Sequence, residues 1–372
     1  MRTLDLKKNK SHGNIRTVKQ LKRYLELPKK EEKDIQEVIN IHPMLVSKYY
    51  LSLIDKNDKN DPIKKMIIPS HNEIYKEGLY DTSGESENTK LTGLQHKYSQ
   101  TALILATNRC AAYCRHCFRK RLVGLPSSEI LHRFSLAVDY IKKHKEINNV
   151  LISGGDPFML PTDIIEKFLR LLTPIKHLDF IRFGTRTPIT YPQRILKDPK
   201  LGRLLKKYSI HGRRIYVVTH YNHPNEITPQ SEKAIKMLLK ANVHIYNQTV
   251  LLKGVNDNPK ILVKLLNNLI KMDILPYYIF QCRPVKRVKH HFQVPLYRGW
   301  KIFEETKKNI GGHIICKRLK YIMAHRTGKI EILGVHRNRM YFKYHHAKNI
   351  KNAGKLFSRK LNKKIGWLYE HE

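Results

Sequence analysis

The chain has 372 residues, 41% of them hydrophobic, which is enough to bury a sizeable core in one large domain or in one domain with extensions. Its formal net charge is +40, from 71 Lys and Arg against 31 Asp and Glu, but the basic residues are dispersed along the whole sequence. That dispersal points to a solvated lysine-rich surface in preference to a nucleic-acid stripe or tail, and no apolar run is long enough to span a bilayer.

The opening MRTLDLKKNK has a basic start with no apolar stretch behind it, so it does not read as a secretory leader, and a cytoplasmic location is expected. Residues 15–55 carry helical spacing: Thr17 can cap a helix through Leu21 and Tyr24, and Pro43 can start another with Leu45, Val46, Tyr49, Tyr50 and Leu53. Residues 55–95 are rich in Asp, Asn, Ser and Gly and read as irregular. From residue 100 short apolar runs recur at 102–106, 150–154, 180–184, 215–219, 243–250 and 277–281. Helical patterns follow them at 129–144, 163–173, 193–207, 230–241, 258–272 and 298–309. Such alternation implies a parallel sheet with crossover helices, and six units fall short of the eight that close a full barrel. The expected fold is therefore α/β, a partial (β/α)6 barrel with its chemistry at the carboxyl ends of the strands. An N-terminal helical and irregular extension over 1–95, a barrel over 96–312 and a C-terminal segment over 313–372 with a basic tail are the expected divisions.

Three of the five cysteines, Cys110, Cys114 and Cys117, fall within eight residues directly after the first of these strands. An odd, crowded set suits a metal site in a reducing compartment and not a disulfide framework. Three thiolates on one tight loop can each hold an iron of a [4Fe–4S] cube, leaving the fourth iron open for chemistry. Zinc held by these cysteines and His116 fits less well, because zinc sites usually unite two separated ligand pairs and there is no second pair. Arg115, Arg119, Lys120 and Arg121 flank the triplet and belong with it.

C-x3-C-x2-C resembles the signature of the radical S-adenosylmethionine (SAM) superfamily. The segments KYYLSLIDKNDKNDPIKKMIIP, GLQHKY, CRHCFRKR, SGGDP, RTPITYPQRI, THYNHPNEITP, NQTVLLKGVNDN and PYYIF are similar, in order, to those of the lysine 2,3-aminomutase family, over about residues 15–335. The resemblance implies a partial (β/α) barrel and an aminomutase that moves an amino group between adjacent carbons of a small amino acid. It implies three cofactors: the cluster, SAM and pyridoxal 5′-phosphate (PLP). It assigns SAM contacts to Ser153, Gly154, Gly155 and Asp156, and to His220 and Gln248. It assigns the PLP lysine to Lys329 and the substrate carboxylate to Arg119. Lys97 stands where the family has an arginine near the PLP phosphate, and a second basic family position there is Thr101. An electron donor such as flavodoxin or ferredoxin and a homo-oligomeric state are expected as well.

The sequence also departs from this pattern. Lysine-specific members place one aspartate after the sixth strand and another just before the PLP lysine; here Arg283 and the stretch Ala324, His325, Arg326 occupy those places. A cation opposite an ammonium costs several kcal/mol in a dry pocket, so free lysine is disfavoured and glutamate is the leading candidate. The family's structural zinc is expected to be absent, since one of its positions is Asn258 and no cysteine follows Cys316. A radical SAM enzyme modifying RNA or protein, with Cys282 and Cys316 recruited, is the alternative reading.

Overall fold

The computed structural model describes residues 13–310 and 318–369. Twelve strands form one sheet in sequence order: β1 (Thr89–Leu91), β2 (Leu94–Tyr98), β3 (Thr101–Thr107), β4 (Asn149–Gly154), β5 (Phe180–Gly184), β6 (Ile215–Thr219), β7 (His244–Leu251), β8 (Leu275–Gln281), β9 (Lys320–His325), β10 (Gly328–His336), β11 (Arg339–Ala347) and β12 (Leu356–Lys360). Strands β3 to β9 run parallel, and β1–β2 and β10–β12 add antiparallel pairs at the two ends. The six expected strands are therefore present as β3–β8. A seventh parallel strand, β9, follows them, and the stretch expected as a basic tail contributes β11 and β12 to the same sheet.

Alternation along each parallel strand sorts the two faces. Ala102, Val150, Ile181 and Ile215 pair in register, are buried, and turn away from the lumen. The next row, Leu103, Leu151, Arg182 and Tyr216, faces the other way, and its first three members line the central cavity. The outer face is covered by helices Phe134–Lys143, Thr162–Leu172, Pro199–Tyr208, Pro229–Lys240 and Pro259–Lys271, whose buried leucines and isoleucines form the main core.

The N-terminal extension packs onto this unit. Thr17 caps Val18–Leu21 with a capping box to Gln20. Pro43 does not start a helix. Val46 is drawn into a two-residue bridge with Ile15, and Ser47 caps the short helix Lys48–Leu51 instead. Asn258, at the family's zinc position, caps helix Pro259–Lys271, and Cys316, offered for the alternative chemistry, lies outside the described residues.

The first and last parts of the sheet meet through side chains, and no strand ladder joins them among the described residues. Lys97 Nζ donates to His325 O at 2.7 Å, Tyr98 stacks on His346 with ring centroids 4.0 Å apart, and Glu87 pairs with Arg326 and Lys348. The sheet thus curls into an incomplete barrel around one cavity of about 560 Å³.

Candidate active site

The cysteine loop leaves β3 and is held from two sides by backbone hydrogen bonds. Tyr113 N donates to Leu45 O and Arg115 N to Met66 O, both at 2.8 Å, which fastens it to the N-terminal extension. Gly155 N donates to Thr107 O at 2.5 Å and Asp156 N to Arg109 O at 2.7 Å, which fastens it to the turn after β4. This explains the paired glycines. A Cβ on Gly154 would lie 2.5 Å from Thr107 O, and one on Gly155 would lie 2.4 Å from Arg109 O. The contact that demands glycine here is with the cysteine loop itself.

Beneath the loop lies a buried ionic cluster that the sequence did not announce. Glu73 accepts from Arg115 Nη2 and Lys120 Nζ, each at 2.6 Å, and Lys120 also donates to Arg115 O at 3.0 Å. All three side chains are at most 2% exposed. Burial alone would raise the Glu73 carboxyl, but the two cations hold it down at about 2.

The three cysteines are partly buried and face the cavity. Burial pushes the Cys117 thiol up to about 11 and the Cys110 thiol well above its ordinary value. A bound metal reverses that preference, because its charge favours the thiolate. The donor set of three sulfurs on one loop fits three irons of a cube. Arg186 Nη1 donates to Cys114 Sγ at 2.5 Å, and its other nitrogens reach His220 O and the buried Glu226. Burial opposes the Arg186 charge, yet the Cys114 sulfur and Glu226 stabilise it.

Next to the cysteines, Asp156 is turned inward. Its carboxylate accepts from Thr185 Oγ1, Arg186 N and Phe158 N, so it braces the turn. His220 places Nδ1 2.9 Å from Gln248 O, and burial with the nearby Arg186 brings its imidazole down to about 4, so it is neutral at pH 7. Gln248 lines the same wall.

Further in, Arg119 and Arg283 both lie against Phe118, with guanidinium carbons 4.6 and 4.2 Å from the ring centroid. Arg119 is ion-paired with Glu85 at 3.0 Å and donates to Ser153 Oγ at 3.2 Å. Arg121 pairs with the second Glu85 oxygen at 2.6 Å. Arg283 points into the cavity and donates to Ser83 Oγ, without an ion pair among the described residues. Burial first, then repulsion from Arg119, lowers its pKa to about 10. Lys97 Nζ donates to Ser83 O at 3.1 Å and to His325 O, and burial brings it down to about 7.

Lys329 enters from β10. Its Nζ lies 5.0 Å from the Tyr278 ring centroid, 5.9 Å from Tyr98 and 6.0 Å from Tyr277. Gly328 lets β10 come close to β11 at this point: a Cβ there would lie 2.3 Å from His346 O. Burial, with Arg182 and Arg283 adding repulsion, lowers the Lys329 amine to about 7. A lysine in that state is substantially neutral and nucleophilic at physiological pH.

The residues named from the sequence for the cluster, SAM, PLP and substrate therefore line one cavity, and Ser83, Glu85, Arg182 and Arg186 join them from segments far apart in the chain, whereas Arg115, Lys120, Arg121 and Glu73 lie outside its lining. Of the joining residues, Arg182 carried a signal of its own, a charge in the middle of the apolar run FIRFG, and Arg186 opens the family-like segment RTPITYPQRI. Cys282, offered for the alternative chemistry, is 1% exposed, and burial pushes its thiol up to about 12.

Known proteins resemble this chain over most of its length. The radical SAM superfamily model matches residues 104–266, which contain the cysteine loop and β4 to β7. The L-lysine 2,3-aminomutase of Clostridium subterminale is 38% identical over 306 residues, covering 82% of this chain and 72% of that protein. The glutamate 2,3-aminomutase of Clostridioides difficile (strain 630) is 40% identical over 309 residues, covering 82% of this chain and 71% of that protein. A protein of Aquifex aeolicus (strain VF5), provisionally named L-lysine 2,3-aminomutase, is 38% identical over 93% of this chain and 92% of its own length. With similarity of this extent across barrel, extension and cysteine loop, the chain belongs to the lysine 2,3-aminomutase family of radical SAM isomerases.

Proposed function

We propose that this protein is a PLP-dependent 2,3-aminomutase acting on a small α-amino acid with an acidic side chain, glutamate being the leading candidate. The observation that carries this reading is one cavity with the three cysteines at one wall, the depressed amine of Lys329 at another, and Arg119 with Arg283 between them. Cys110, Cys114 and Cys117 would hold the cluster, whose open iron with SAM supplies the radical that takes hydrogen from substrate. Lys329 would hold PLP, which supplies stabilisation for the migrating radical.

The chain's own residues do the positioning. Arg119, fixed in orientation by Glu85 and Ser153, receives the α-carboxylate with its remaining donors. Arg283, which forms no ion pair among the described residues although Glu85 and Asp81 lie within electrostatic reach, receives the side-chain carboxylate. Phe118, against whose ring both guanidiniums lie, supports them side by side in the pocket. Ser153, the Gly154–Gly155 turn, neutral His220 and Gln248 form the wall next to the cysteines on which SAM would lie. Lys97 offers a positive charge toward the PLP phosphate. A small ferredoxin or flavodoxin would deliver the electron.

The test is anaerobic incubation of the iron-loaded protein with SAM, PLP, a reductant and a panel of α-amino acids, followed by identification of β-amino-acid products. Conversion of glutamate or a neutral amino acid faster than lysine is expected. Faster formation of β-lysine would overturn the pocket assignment. SAM cleavage without any PLP uptake would replace it with the RNA- or protein-modifying reading.

A further inference from the structure

Four cations in the cavity, Lys97, Arg182, Arg283 and Lys329, form no ion pair among the described residues. Arg182 is the one with no role in the function argued above. It sits in the inward row of β5, level with Leu103 and Leu151. Nη2 donates to Asn149 Oδ1 at 2.5 Å, whereas Nε is buried with no hydrogen-bond partner. The influences on its charge are burial, which opposes it, and the Tyr277 and Tyr278 hydroxyls, with no carboxylate among them. A guanidinium taken out of water without a counter-anion is costly, and proteins rarely keep one unless a ligand completes it.

Its position says which ligand. Asn149 Oδ1 also accepts from Thr101 Oγ1 at 3.2 Å, so Arg182 and Thr101 share one acceptor. Thr101 is the place where the chain carries no cation although the phosphate of PLP calls for one. Arg182 also repels the Lys329 ammonium and the charge of His346, the residue cross-strand to Lys329. His346 is kept neutral by burial and these cations, at about 4, so it adds no competing charge.

We infer that Arg182 is a binding residue for the phosphate monoester of the cofactor, supplying from β5 the charge that residue 101 lacks. The inference rests on the PLP reading above and adds the seat of the phosphate. Asn149 accepts one hydrogen of Nη2, leaving the buried Nε–H without a partner and the rest of the planar guanidinium to donate to a phosphate, which it suits better than a lone ammonium does.

The experiment compares PLP with pyridoxal, which has the same aldehyde and no phosphate, by borohydride trapping on Lys329 and by absorbance titration of the anaerobic, metal-loaded protein. In the wild type PLP should bind about 100-fold more tightly than pyridoxal, the range expected for two charge-assisted hydrogen bonds. In Arg182→Gln the PLP affinity should fall about 30- to 100-fold while pyridoxal binding stays within about 3-fold, and Arg182→Lys should recover part of the loss. Thermal unfolding without cofactor guards against a folding defect: Arg182→Gln should melt no lower than wild type, because it removes an uncompensated buried charge. An Arg182→Gln protein that keeps the preference for PLP, or that loses both aldehydes equally and melts lower, overturns the assignment. Wild-type protein that binds both aldehydes equally overturns the phosphate seat alone. Wild-type protein that binds neither overturns the PLP reading and this inference with it.

Discussion

Arg186 donates a hydrogen bond to the sulfur of Cys114 across 72 residues of sequence, while the same guanidinium is anchored on the buried Glu226. A donor to a cluster sulfur stabilises the electron-rich, reduced state and so raises the reduction potential. Arg186→Met should therefore bind about four irons but show a midpoint lower by tens of mV, on the order seen when sulfur hydrogen bonds are removed. Anaerobic redox titration followed by spin resonance checks this; an unchanged midpoint at full iron occupancy would show that the contact does not reach the cluster. By contrast, Cys114→Ala should lose SAM cleavage altogether.

Glu73 predicts an acid limit to stability. Its folded pKa is about 2 against an ordinary value of 4.5, so the unfolded chain binds the proton more readily. The stabilisation is present above about 4.5 and is lost as pH falls from there toward 2. Glu73→Gln leaves Arg115 and Lys120 buried with a neutral partner and should cost about 3–5 kcal/mol, read as a lower denaturant midpoint at pH 7. A loss under about 1 kcal/mol would mean that water reaches the two cations.

Lys329 sets a second pH dependence, centred near neutrality. Its amine is lowered to about 7, so raising the pH through 7 converts ammonium to free amine. The charges acting on it are Arg182 and Arg283, and the rings of Tyr98, Tyr277 and Tyr278 surround it. The rate of PLP attachment should rise about tenfold from pH 6 to pH 8 and then level off, whereas an ordinary lysine would go on gaining to beyond pH 10. Stopped-flow absorbance measures it, and Lys329→Arg should show no attachment at any pH.

The role proposed for Arg283 makes a prediction about the charge of the substrate. With Arg283→Asp, kcat/KM for glutamate should fall by at least about 30-fold, the cost of removing one partner of a desolvated charge pair. The same change should admit lysine weakly. Equal use of glutamate by both proteins would show that Arg283 does not touch the side chain, even though its guanidinium faces the cavity.

The parts of this structure legible in the sequence are those set by local pattern. Residues 180–184 and 215–219 read as strands because apolar, β-branched and aromatic residues crowd there, and the structure places β5 and β6 over those same residues. Cys110, Cys114 and Cys117 are close because the chain is short between them. Other contacts depend on folding that brings remote segments together. Glu73 and Glu85, in a stretch that reads as turns, neutralise Arg115, Lys120, Arg119 and Arg121 from 34 to 47 residues away. Gly154 and Gly155 were legible as a turn, but the neighbour that excludes a side chain, the backbone of 107–109, was not. Strands β11 and β12 were hidden because Lys and Arg on an exposed antiparallel face mask the apolar alternation of Met340 and Phe342.

The contacts between Lys97 and His325, Tyr98 and His346, and Glu87 with Arg326 and Lys348 form a seam that contains no ladder of amide hydrogen bonds among the described residues. Such a seam can part without breaking either sheet edge, so it is the least expensive place for the barrel to breathe. Its ion pairs on Glu87 are surface-exposed and weaken as salt screens them. Lys329 lies just inside it, over the Tyr98 ring. On the Lys329 side the barrel is thus closed by side chains alone, and its tightness there answers to salt in a way that amide-paired strands do not.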